Sequence, residues 1–299
     1  MRVFVTGATG FVGTAVVEDL IRAGHQVLGL TRSDAGAQAL IAAGAEPHRG
    51  DLEDLESLRR GAANSDGVIH TAFIHDFSRF KENCETDRRV IEAMGAVLAG
   101  SDRPLIVTSG TGMGSGPAGR PVTEDDVHAS GPNAIPRVAT EEAAEAVAAK
   151  GVRVSVVRLP QVHNTIKQGL VTYSIAIARE KGVSAYVGDG RNRWPAVHLL
   201  DAAPVYRLAL EKAGTRAIYH AVAEEGVPCR DIAEVIGRGL KIPVVSMSPE
   251  EAAAHFGWLG MFASLDLPAS SAKTQQLLGW RPTGPGMIAD LERMQYSEK

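Results

Sequence analysis

The stretch Val3-Phe4-Val5-Thr6-Gly7-Ala8-Thr9-Gly10-Phe11-Val12-Gly13 decides how the rest of the chain is read. It joins a short apolar run to a helical pattern, Thr14 to Arg22. A strand, a glycine-rich turn and a helix, in that order, receive the pyrophosphate of a dinucleotide. Gly7 lets the chain turn sharply, Gly10 lets backbone approach phosphate, and Gly13 lets the helix pack closely on the strand. The helix start adds free N–H groups and a partial positive charge. A glycine turn in an unrelated α/β protein has the same letters. Position and flanks, and the signals that follow, favour the nucleotide reading.

The chain has 299 residues, enough for one large core or a domain with a cap. A formal net charge of −4 leaves no basic footprint for nucleic acid. No apolar run is long enough to span a bilayer, and the chain enters its first strand without a leader. A cytoplasmic protein is therefore expected, without membrane or nucleic-acid partners. Cys84 and Cys229 read as free thiols of a reducing compartment, not as a disulfide or metal framework.

The second strand, Val27 to Leu30, closes on Thr31-Arg32-Ser33. An acid at this point holds the ribose hydroxyls of NAD, whereas a guanidinium suits a 2′-phosphate. Arg32 therefore favours NADP(H) over NAD(H). The plainer reading of Arg32 is a solvated charge at a strand end. A helix from Ala35 to Ala43 follows, then a third strand into Gly50-Asp51-Leu52, where Asp51 is placed to cap a helix at Leu55. Gly67 to Ala72 is a fourth strand running into Phe73-Ile74-His75. Within it His70 reads as a strand-interior histidine, while His75 and Asp76 fall on a loop that can face substrate.

The Gly-x-x-Gly-x-x-Gly spacing with Thr6 ahead of it resembles the extended and atypical short-chain dehydrogenase/reductase (SDR) superfamily. The resemblance runs through almost the entire chain. It implies an α/β fold, a Rossmann doubly wound parallel sheet with a smaller C-terminal substrate-binding region. The NAD(P)-binding domain would span 1–163. Residues 164–299 would be mainly substrate-binding, with a strand near 217–222 returning to the sheet. It also implies roles: Thr6, Gly7, Thr9, Gly10, Phe11, Val12 and Gly13 at the pyrophosphate, and Asp51 and Leu52 at the adenine. Ala72, Phe73 and Thr108 would lie beside the cofactor, and Pro160, Gln161 and Val162 would line the nicotinamide pocket. Ser109 stands five residues before Gly114, where extended SDRs place a serine that holds a substrate carbonyl. A turn serine bonding its own backbone is the alternative. The helix Glu82 to Leu98 lies where relatives often dimerise, so a homodimer is one reading and plain packing on the sheet the other.

The pattern then breaks. Relatives carry Tyr-x-x-x-Lys on the next helix, but no tyrosine occurs before Tyr173. Matching Ala144-Glu145 to the Ala-Glu that often follows the lysine puts Arg137 in place of the tyrosine and Glu141 in place of the lysine. A phenol of pKa about 10 exchanges protons only when a neighbouring ammonium lowers it. Arginine stays protonated and cannot serve as that acid. His163 is one replacement proton donor, with an imidazole pKa of about 6.5 when unperturbed, or else a hydrogen-bonded structural histidine. Tyr173 is a second donor, or a packed helix residue. Arg193 stands five before His198, one residue off the phosphate-gripping arginine of nucleotide-sugar relatives, which argues against a sugar-nucleotide substrate. Trp194 beside it suggests an apolar lining, and Asp201 reads as the cap of the next helix.

Three functions remain open. The first is an NADP(H)-dependent oxidoreductase of the atypical SDR type, reducing a small carbonyl-type substrate. The second is a non-catalytic NADP(H)-binding regulator or redox sensor. The third is an epimerase or dehydratase.

Overall fold

The computed structural model describes residues 1–116, 119–129 and 134–296. Its central sheet contains β1 (Arg2–Thr6), β2 (Gln26–Thr31), β3 (Glu46–Arg49), β4 (Gly67–His70), β5 (Pro104–Gly110), β6 (Arg153–Leu159) and the late strand β10 (Ala217–His220). All seven strands pair in parallel, in the order β10-β6-β5-β4-β1-β2-β3. Two small sheets lie outside it. One holds β7 (Gln161–His163), β9 (Arg193–His198) and β11 (Glu224–Pro228); the other pairs β8 (Ser184–Val187) with β12 (Val244–Met247).

Alternation along the strands builds the two helical layers. Val3, Val5, Ile69 and Ile106 face α1 (Phe11–Arg22) and α2 (Asp34–Ala42). Phe4, Val68, Leu105 and Val107 face α3 (Leu55–Ala63), α4 (Phe80–Leu98) and α5 (Ala139–Ala149). A third apolar core gathers α6 (Val171–Lys181), α8 (Cys229–Leu240) and α9 (Pro249–Phe256) around Trp194, Val227 and Leu259. The chain after residue 163 does not stay there. Helix α7 (Leu199–Lys212) packs its Ala202, Val205, Tyr206 and Ala209 into the same core as α1, and β10 extends the main sheet beside β6. Among the described residues no helix is long and apolar enough to cross a membrane. Cys84 and Cys229 are both free thiols.

Two local expectations are corrected. Asp51 does not cap α3: its Oδ1 accepts from the N–H groups of Glu53 and Asp54, and Asp54 accepts from Ser57 N as the cap. Asp201 does not cap α7, which His198 caps; its carboxylate holds the loop at Thr283 and Gly284. Trp194, by contrast, is buried in the third core and lines a small cavity there with Cys229, Ile232 and Phe256, as an apolar lining requires.

Two glycines fix the first turn. Gly7 sits at φ +67°, a left-handed conformation that suits glycine. A Cβ on Gly13 would stand 1.9 Å from the Gly7 carbonyl oxygen, a backbone atom that cannot step aside. Gly13→Ala should therefore destabilise the fold by at least ~1–3 kcal/mol, the usual range for overpacking. Gly110→Ala, whose Cβ would meet nothing closer than 3.8 Å, should be near neutral. Urea denaturation of both variants checks the contrast.

Candidate functional site

In an open parallel sheet the ligand crevice lies at the C-terminal strand ends, where the chain order reverses. Here that point falls between β1 and β4, with β2 and β3 on one side and β5, β6 and β10 on the other. The glycine turn sits at its centre. Gly10 N donates to Gly7 O at 2.8 Å, and no side chain caps α1 at Gly10. The N–H groups of its first turn are thus left to the crevice. Thr71 clamps the two strand exits by donating its hydroxyl to Thr6 O at 2.8 Å. The residues present suit a pyrophosphate: a tight left-handed turn, a close helix–strand contact and an uncapped helix start.

A buried polar chain runs from this turn to Arg137. Thr6 Oγ1 lies 2.6 Å from His70 Nδ1, and His70 Nε2 lies 2.9 Å from Asp87 Oδ1. Asp87 Oδ2 accepts from Arg137 Nη1 at 2.6 Å and also from the Thr140 hydroxyl. Arg137 Nη2 donates to Thr108 O at 2.9 Å. A carboxylate only accepts, so His70 Nε2 carries a proton, and in the neutral ring Nδ1 takes the Thr6 hydroxyl proton. Burial alone would raise the Asp87 pKa. The Arg137 charge and the bonds from His70 and Thr140 outweigh it and hold the carboxyl far below its ordinary range. The Arg137 guanidinium, 14% exposed, lies over the Phe73 ring with Cζ 4.1 Å from its centroid.

A second network lies behind it. Ser109 Oγ donates to Glu141 Oε1 at 2.7 Å. Arg158 grips the same carboxylate with Nε and Nη2 at 2.8 and 2.7 Å. Its remaining Nη1 reaches Asp126 O and His220 Nε2. Burial pushes the Glu141 pKa up, but the bonds and charge of Arg158 and the Ser109 hydroxyl bring it below normal.

The expected site residues separate into groups. Thr6, Gly7, Thr9, Gly10, Phe11, Val12 and Gly13 surround the turn, and Ala72, Phe73 and Thr108 lie at the neighbouring strand exits. The Thr108 hydroxyl is occupied by His70 O and the Tyr206 phenol. Arg32 is exposed at the end of β2. The register pairs Thr31 beside it with Arg49 of β3, and Arg49 forms an ion pair with Asp34. Asp51 and Leu52 form the turn after β3, with Leu52 against the α3–α4 core. Pro160 is half-buried, Val162 is buried in β7, and Gln161 accepts from Leu170 N.

The three catalytic candidates do not converge. Ser109 is 4% exposed with its hydroxyl engaged by Glu141, so a carbonyl oxygen would have to replace that bond. His163 is fully buried in β7, its Nδ1 2.7 Å from Asp290 Oδ2. Burial lowers its pKa, against the opposing pull of Asp290. Tyr173 packs edge-on against Phe77 and Trp258, themselves stacked at 4.0 Å. Arg193 pairs with Asp266. Asp87 and Arg158 escaped the sequence reading. A buried arginine demands a carboxylate, but nothing in the spacing says which helix supplies it. Among the described residues no cluster of His, Cys, Asp and Glu is placed to hold a metal.

Reversal point, glycine turn and strand order define a Rossmann-type nucleotide-binding protein. The chain belongs to the NAD dependent epimerase/dehydratase family, whose model matches residues 3–222. An uncharacterized protein of Schizosaccharomyces pombe is 52% identical, with 99% of this chain and 100% of that protein covered. An uncharacterized protein of Saccharomyces cerevisiae is 45% identical, with 99% of each covered. The structure of Thermus thermophilus UDP-glucose 4-epimerase in complex with NAD superposes with a TM-score of 0.75 over 99% of both chains, at 20% identity, and so shares the fold.

Asp87→Asn should cost about 3 kcal/mol, the usual loss when one partner of a buried ion pair is removed. The sign with pH follows from the lowered Asp87 pKa. Its contribution is present above the unfolded pKa of about 4 and is lost as pH falls below that value. Stability of wild type and variant should thus converge in acid, read from denaturation midpoints at a series of pH values.

Proposed function

We propose that the chain is an NADP(H)-dependent reductase of small carbonyl compounds. In this reading Arg137, not a tyrosine, holds the oxygen that takes the charge, and water delivers the final proton. The observation that carries it is the fixed position of Arg137 at the strand ends, locked by Asp87 and Thr108 O over Phe73. Among the described residues, its Nε–H and one Nη2–H have no protein acceptor, although a guanidinium has five N–H donors.

The bound dinucleotide would supply a hydride to the carbonyl carbon as the π pair moves to oxygen. The chain's part is electrostatic. Arg137 stabilises the oxyanion with a charge already in place, which costs no reorganisation. The chain Thr6–His70–Asp87 holds that charge at one position and prevents it from following solvent. Because arginine cannot give up its proton, the alkoxide takes one from water, leaving hydroxide to the buffer. Ser109, Glu141 and Arg158 back this site from the adjacent layer, and Ser109 joins the oxygen site only if Glu141 releases it. Arg32, with Arg49 one strand away, supports the 2′-phosphate assignment. A second reading, a dinucleotide-binding regulator without turnover, is favoured by Glu141. Where relatives place a lysine, it is spent on Arg158.

Two experiments separate these. NADPH and NADH oxidation is followed over a panel of aldehydes, ketones and quinones, with UDP-glucose included for the epimerase alternative. The reductase reading predicts turnover that falls roughly 10²–10³-fold in Arg137→Met, the cost of losing an oxyanion donor. Arg137→Lys, which keeps a charge for Asp87, should fold as wild type and retain part of the rate. Silence of a protein that binds NADPH would favour the regulator. Arg32→Asp should weaken NADPH binding by up to roughly a hundredfold, the worth of a charge-assisted bond, and NADH binding little. Equal losses would remove the NADP assignment.

A further inference from the structure

The loop after β7 carries a cation that the site described so far does not use. Asn164 builds it: its Oδ1 accepts from Ile166 N at 2.8 Å and Lys167 N at 2.9 Å, and its own N–H donates to Lys167 O at 2.9 Å. The buried Gln168 closes the turn by donating Nε2 to Asn164 O. The Lys167 backbone is thus pinned from both sides while its side chain projects outward. Its Nζ lies 5.7 Å from the centroid of Phe11, the first residue of α1 after the glycine turn. Among the described residues Lys167 has no carboxylate within ion-pair distance, whereas Arg137, Arg158 and Arg193 each have one.

The ammonium lies over the Phe11 ring, a cation–π contact, and beside the start of a helix, whose potential is also positive. A third group reports the same field. His75, edge-on to Phe73, has its pKa lowered by burial first, then by Lys167 and by Arg137. Asp76, next to His75 in the chain, is engaged by Ser78, and Asp87 by Arg137 and His70. Positive groups therefore approach from the glycine turn, from the loop after β7 and from Arg137 just before α5, and among the described residues Lys167 forms no ion pair.

We infer that Lys167 closes over an acidic group held in the crevice opposite the glycine turn. That group is a phosphate of the dinucleotide or an acidic group on the substrate. The inference rests on the proposal that the chain binds a dinucleotide. It gives the loop after β7 a binding role and ties the C-terminal region to the occupant of the crevice. A lysine suits this place: a compact charge on a flexible stem meets an oxygen whose position varies.

The test is titration of Lys167→Gln, Lys167→Glu and the control Lys212→Gln with NADPH and NADH, at low and high salt. A parallel titration of the NADPH-loaded protein uses benzoate, followed by tryptophan fluorescence. If Lys167 meets a cofactor phosphate, Lys167→Gln should weaken NADPH and NADH alike, by roughly tenfold at low salt, and flatten the salt dependence. Lys167→Glu should weaken both further, and Lys212→Gln neither. This common loss distinguishes Lys167 from Arg32, which should separate the two cofactors. If Lys167 meets a substrate acid, cofactor affinities stay unchanged and benzoate binding is lost in both Lys167 variants. Unchanged cofactor affinity, salt dependence and benzoate response in both would overturn the inference and leave the cofactor proposal standing. A wild-type protein that binds neither dinucleotide would instead sink the cofactor proposal itself.

Discussion

The ion pair between Asp87 and Arg137 is the constraint around which this site is arranged. Two opposite charges are held in a nearly dry place, where removing either leaves the other uncompensated. Each neighbour answers that demand. His70 and Thr140 satisfy the remaining capacity of the carboxylate, Thr108 O takes a guanidinium proton, and Phe73 covers the cation's face. Through Thr6 the chain of bonds reaches the strand that opens into the glycine turn. The position of Arg137 is therefore coupled to three strand exits, not to the helix that carries it alone.

A second buried pair repeats the logic one turn further along. Glu141 and Arg158 neutralise each other between α5 and β6, with Ser109 donating to the carboxylate. Together the two pairs place a guanidinium at Arg137 and a carboxylate at Glu141 on one stretch of chain, each neutralised by a buried partner. Both charges are held in fixed positions. That is why the proposed chemistry puts weight on charge stabilisation and leaves the proton to solvent.

The fold was legible because its signals are local and periodic. The glycine turn has one backbone solution, and the alternation of Val3, Phe4 and Val5 already assigns each face of β1 to a helical layer. That no tyrosine precedes Tyr173 is equally plain in the letters. The partner that holds Arg137 is not. Asp87 lies fifty positions before Arg137 and carries no motif of its own; only the packing of α4 beside the start of α5 brings them together. The same limit explains His163, whose partner Asp290 is 127 positions away. Caps were misplaced by three residues at Asp51 and Asp201, because spacing does not rank the polar residues near a helix start: Asp54 caps α3 and His198 caps α7, while Asp201 is drawn to Thr283 and Gly284, over eighty positions away. The loop that aims Lys167 was hidden in the same way, since only the side-chain bonds of Asn164 and Gln168 give it a direction.

The account's central claim is that Arg137 receives the oxygen of the reacting group. A crystal structure with NADP⁺ and a bound carbonyl or alcohol ligand measures this directly. The account predicts that ligand oxygen about 2.7–3.1 Å from Arg137 Nε or Nη2, with the Ser109–Glu141 bond intact. An oxygen seated on Ser109 with Glu141 displaced, or bound away from both residues, would contradict it.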